Sequence, residues 1–122
     1  MDEIQLFTEL QGVFLIKLLL AHLVADFLLQ TKKMVENKKW ISKSMFVHIS
    51  IVFVVTLLFS NNLLISTIIA VSHYCIDGTK IELNKRKISK SSLFLLDQAL
   101  HFLVILICWS IYFDVTKEVY HA

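Results

Sequence analysis

Residues 22–30 read His22-Leu-Val-Ala-Asp26-Phe27-Leu-Leu-Gln30. His22, Asp26 and Gln30 are spaced four apart, so a helix gathers them on one stripe. The stripe ends an apolar run that begins near residue 5. Its spacing recurs downstream: His73 and Asp77 repeat it, and Asp97 and His101 carry it reversed. A polar stripe in an apolar helix costs free energy unless it is paired, bound to metal or facing water. Three such stripes in 122 residues ask for a common explanation.

The composition around them sets the fold class. Hydrophobic residues make up 57% of the chain, proline is absent, and the only glycines are Gly12 and Gly78. That leaves little turn chemistry for a β architecture and nothing to break long helices. A soluble helical bundle would need a charged face on each helix. Segments 44–60, 62–76 and 98–113 contain no Asp, Glu, Lys or Arg. The chain therefore reads as a single-domain, all-α integral membrane protein, a bundle of four transmembrane helices. The spans fall at about 5–30, 44–60, 62–77 and 93–113. Asn61 and Asn62 leave room only for a tight turn, which makes the second and third spans an antiparallel pair.

Loop charges set the expected orientation. Residues 31–43 hold Lys32, Lys33, Lys38, Lys39 and Lys43 against Glu36. Residues 78–92 hold Lys80, Lys85, Arg86, Lys87 and Lys90 against Glu82. The positive-inside rule puts both basic loops in the cytoplasm and both termini outside. There the loops meet the anionic head groups of the bilayer, at roughly 1 kcal/mol per basic residue. No aromatic interleaving or recognised module accompanies them, so nucleic acid is not the expected partner. Lys17 lies about 140° around the helix from His22 and is expected to snorkel to the outer interface. Trp40 and Trp109 fit interfacial belts. Cys75 and Cys108 fall at different depths and read as small buried hydrophobes rather than a disulfide. The acidic start, Asp2 and Glu3, differs from the basic start of a secretory signal. A bundle this small leaves a homo-oligomer open, with no interface specified.

On this topology the reversed stripe acquires a meaning. The first and third spans run inward, so His22 and His73 lie one turn deeper than Asp26 and Asp77. The fourth runs outward, so Asp97 comes first and His101 is the deeper residue. Order in sequence reverses while order in depth is kept. Asp26, Asp77 and Asp97 form one layer, and His22, His73 and His101 form the next. His48 joins them from the second span, ~5–16 Å below the loop charges. His121 is left in the outer tail.

Imidazoles and carboxylates are the ligand set of zinc, iron or manganese. Facing helices of a bundle can supply them to a mono- or binuclear centre. The candidate divalent-metal ligands are His22, Asp26, His48, His73, Asp77, Asp97 and His101. Gln30 and Gln98 are their expected supports. A metal with an open position near the cytoplasmic face could activate water for hydrolysis of a membrane-associated substrate, with Asp26, Asp77 or Asp97 as general base. Two other readings stand beside this one. The layers could form a cation or proton pathway, although the largely apolar outer halves of spans two to four barely offer an onward polar route. The pairs could also simply hold together a structural or partner-binding membrane subunit.

His22-x-x-x-Asp26-Phe27-x-x-Gln30, the lysines after it, His48, His73-x-x-x-Asp77 and Asp97-Gln98-x-x-His101 together resemble a bacterial membrane protein family, the domain of unknown function 3307. The likeness covers about residues 13–110. It implies a multi-pass protein of the bacterial inner membrane and carries no established activity. A looser likeness, in short His/Asp-rich spans, is to membrane-bound metal-dependent hydrolases.

Overall fold

The computed structural model describes residues 3–86 and 88–121, with side chains described for all of these except residues 3, 4, 7, 35 and 115–121. Asp2 and Lys87, and the side chains of Glu3 and His121, thus lie outside the described residues. The described chain is helical and contains no strand. Helix α1 covers Glu3–Leu23 and continues into a π-turn over Val24–Leu28. Short α2 covers Lys32–Asn37, and α3, α4 and α5 cover Lys43–Ser60, Leu63–Asn84 and Lys90–His121.

The α3–α4 connection is the two-asparagine turn. Asn61 takes the left-handed conformation (φ 53°) that asparagine tolerates, and its N–H donates to the Leu57 carbonyl at 2.8 Å. The Asn62 side chain then caps α4 by accepting from the Ile65 N–H at 2.9 Å. Helix α3 packs against α1 and α4, and α5 packs against the same two helices. The four long helices therefore form a square with antiparallel neighbours, α1 diagonally opposite α4.

Three of these helices, not four, are long and apolar enough to cross a membrane: Thr8–Leu28, Lys43–Ser60 and Lys90–Asp114. Helix α4 is long enough but too polar. It carries Ser66, Thr67, Ser72, His73, Asp77, Thr79, Lys80 and Glu82 along 22 residues. It also runs past the boundary expected near residue 77. Gly78 does not end it, because an isolated glycine weakens a helix without breaking it. The glycine is there for closeness: a Cβ at this buried position would overlap the Trp40 ring. The second basic loop shrinks accordingly, and Lys80 becomes a helical residue.

Large apolar side chains point outward on the candidate spans, among them Leu20, Val54, Leu58, Leu103 and Ile107. Such a surface suits lipid rather than water, and the chain has the character of a membrane protein. Inside, Leu18, Val52, Ile69 and Ile105 form a closed apolar layer. Each lies four residues from a histidine of the same helix, on the side away from the basic loops. Lys17 is exposed on the outer surface and takes no part in the polar core. Cys108 is buried as expected, whereas Cys75 is exposed, because it sits on the opposite face of α4 from the buried Ile69–His73 line. Both thiols are free.

Candidate metal centre

The π-turn shapes the first corner of the site. The Leu29 N–H bonds five residues back to the Val24 carbonyl at 2.9 Å, widening the helix at Asp26. Asp26 thereby faces inward beneath His22 and reaches across the square. Its Oδ1 accepts from His73 Nε2 at 3.0 Å, on the diagonal helix, and lies 3.2 Å from His48 Nε2. Its Oδ2 is 3.5 Å from both His22 Nε2 and Gln98 Nε2. One carboxylate thus touches groups from all four long helices.

Asp77 is the second hub. Its Oδ1 is 3.3 Å from His101 Nε2, and its Oδ2 is 3.4 Å from both His48 Nε2 and His73 Nδ1. Asp97 pairs with His101 within its own helix, at 3.1 Å. The rings of His73 and His101 stack with centroids 3.9 Å apart, and His22 sits 5.1 Å from His101. All seven residues expected at the site converge, and all seven are buried.

Three groupings bring ligand atoms within 4.8 Å of one another: His22/His73/His101, Asp26/His48/His73 and Asp26/Asp97/His101. Donors bound to one zinc-sized ion at ~2 Å necessarily lie within about 4 Å of each other, so the groupings are of the right scale. The hydrogen bonding also leaves gaps. His48 is fully buried at 0% exposure and its Nδ1 meets no partner, while its Nε2 and His73 Nδ1 sit 3.2–3.4 Å from carboxylate oxygens without hydrogen-bond geometry. A buried polar atom without a partner costs about 1–3 kcal/mol. A neutral His73 that donates its Nε2–H to Asp26 would turn the Nδ1 lone pair toward the Asp77 carboxylate 3.4 Å away. That arrangement calls for a proton or a cation between them. The donor set and its unfilled atoms fit a divalent metal.

Asp77 belongs to none of the three groupings. A lysine holds it instead, and this is the part that the sequence reading missed. Lys38 Nζ lies 2.8 Å from Asp77 Oδ2 and also donates to Gln30 Oε1, with its side chain only 10% exposed. Lys80 Nζ lies 3.3 Å from Asp97 Oδ2. Both lysines were read as loop charges facing head groups. Only the path of the α2–α3 connection and the extra turns of α4 bring them onto the acids. The glutamines divide as well. Gln30 donates to the Asp26 carbonyl and orients Lys38. Gln98 lies in the cluster itself, accepting from His22 at 3.0 Å and donating to Asp97 at 3.0 Å.

An open cavity of about 1110 Å³ faces the cluster from the basic end, with Asp77, Lys38 and Lys80 in its wall. Trp40 roofs this region. Its ring lies over Gly78, and its carbonyl accepts from the Tyr74 hydroxyl at 2.6 Å.

A family model described as "Protein of unknown function (DUF3307)" matches residues 14–122. No curated protein and no solved structure matches the chain.

Proposed function

Because the chain belongs to the family of proteins of unknown function DUF3307, whose description carries no activity, we propose a function from its own residues: a membrane-embedded divalent-metal centre that hydrolyses a membrane-associated substrate. The observation that carries this reading is the set of unfilled nitrogens on His48 and His73, buried among carboxylates. His22, His48, His73 and His101 would be the direct ligands, with Asp26 and Asp97 completing the set. Zinc, iron or manganese, if bound there, would supply Lewis acidity and lower the pKa of a bound water for hydrolysis of an ester, amide or phosphate. The chain's own groups do the rest. Asp77, on the cavity wall, would take the proton released by the attacking water. Lys38 holds that carboxylate in place, and Gln98, accepting from His22 Nε2, fixes the tautomer of His22. The apolar layer of Leu18, Val52, Ile69 and Ile105 closes the site on its far side. By the positive-inside rule the open side faces the cytoplasm of a bacterial cell, with the basic segments against the inner-membrane head groups.

One observation favours a second reading. Lys38 and Lys80 already set two positive charges against the three carboxylates, so one further proton would neutralise the cluster as a purely structural core. A cation pathway is less favoured, because the apolar layer offers it no exit.

Elemental analysis of detergent-purified protein separates these readings. The hydrolase reading expects near-stoichiometric metal that is lost in both His22→Ala and His73→Ala. A folded wild type that holds no zinc, iron or manganese after loading overturns it in favour of the structural core.

A further inference from the structure

The cavity at the basic end has a composition of its own. Five lysines line it (Lys38, Lys39, Lys80, Lys85 and Lys90), against the acids Glu36, Asp77 and Glu82. Three of these lysines are engaged: Lys38 with Asp77, Lys80 with Asp97, and Lys85 with Glu82 at 3.3 Å. Glu36 pairs with Lys32, at 3.9 Å. Lys39 and Lys90 are left with no acidic partner among the described residues, and both are exposed.

The rest of the wall is apolar. Trp40 is held over Gly78, while Ile41 and Phe94 are 82% and 45% exposed. Exposed apolar surface beside unpaired ammonium groups suits a molecule with an anionic head and a hydrocarbon tail. Lysine binds phosphate as a mobile point charge, and Asp77 at the base of the cavity disfavours a head group carrying a second carboxylate.

We infer that this cavity binds the phosphate head of a lipid, with Lys39 and Lys90 on the phosphate and Trp40, Ile41 and Phe94 along the first part of the chain. The inference deepens the proposed hydrolase by giving its substrate class, and it rests on that reading only for the chemistry, not for the binding. Its place beside Asp77 brings a phosphate ester within the reach of the cluster.

Trp40 provides the readout. With Trp109→Phe as background, Trp40 is the remaining tryptophan of the two in the chain, and its emission is titrated with dodecyl phosphate in dodecyl maltoside. We expect a saturable change, weakened roughly 25-fold in Lys39→Gln/Lys90→Gln at ~1 kcal/mol per lysine. Inorganic phosphate should bind far more weakly. The double variant changes only exposed side chains, and its unaltered thermal unfolding checks the fold.

No saturable response, an unchanged affinity in the double variant, or inorganic phosphate binding as tightly as dodecyl phosphate would each overturn the lipid-phosphate assignment. Metal content measured on the same samples keeps the two readings apart. Metal present without a lipid response sinks this inference alone. A lipid response in protein that takes up no metal on loading supports it while sinking the metal centre.

Discussion

Asp77 and Lys38 show how a single residue pair can be tuned between two uses. The ammonium 2.8 Å from the carboxylate does the work that a divalent ion would otherwise do. Removing one partner of such a buried pair is expected to be costly, at about 3–5 kcal/mol. Lys38→Gln should therefore lower the unfolding temperature of metal-free protein and tighten zinc binding several-fold, because a buried positive charge beside the cluster no longer repels the ion. Calorimetry with and without zinc reads both effects, and weaker zinc binding in the variant would count against that repulsion. Asp26 gives a second residue-scale expectation. Asp26→Asn keeps the shape but loses a carboxylate shared by three histidines, so metal content should fall at least tenfold; unchanged content would remove Asp26 from the ligand set. Six of the seven His and Asp residues were legible in the sequence as pairs, since i, i+4 spacing and reversal with helix direction are local facts, whereas His48 has no such partner and followed only from the position of its span. Lys38 was not legible. Its target lies 39 residues away, across a connection whose path depends on Trp40 settling over Gly78.

At the scale of elements, the Trp40–Gly78 contact ties the α2–α3 connection to α4. Gly78→Ala should gain helix propensity, by up to about 1 kcal/mol, and lose more through overlap with the Trp40 ring, about 1–3 kcal/mol. The expected net result is a lower melting temperature with a red-shifted Trp40 emission. A rise in stability with unchanged emission would show that the ring does not rest there. This element was misread in the sequence because glycine and the lysines after it look like a loop. Their helical continuation depends on packing that propensity does not report. The same polarity explains why α4 falls short of the apolarity of its neighbours: it supplies His73, Asp77 and Lys80 to the interior. The π-turn at Asp26 also left no mark in the composition. It appears only as one widened hydrogen-bonded ring, from Leu29 to Val24.

Across the whole molecule, the buried ionisable groups are gathered toward one end of the bundle axis. The lysine-lined cavity opens at one end, the acids and histidines follow, and the Leu18/Val52/Ile69/Ile105 layer closes the path. Access should therefore be one-sided. In a Cys75→Ser background, Ile41→Cys should react with a membrane-impermeant maleimide in inside-out vesicles and not in right-side-out ones; the opposite pattern would invert the orientation. The all-helical class was legible at this scale from charge-free segments and the scarcity of glycine and proline, but the number of spans was not, since the charge-free segment 62–76 belongs to a helix whose remainder is too polar. The closed layer follows from the same periodicity that placed the histidines. Its four members lie on four different helices, and so do the groups that touch Asp26. In terms of inheritance, no single substitution takes the cluster apart gradually. Losing one member leaves charges on the other helices stranded in a dry interior, and no neighbour on the same helix can replace it. Descendants of this chain should keep the seven residues together or lose them together.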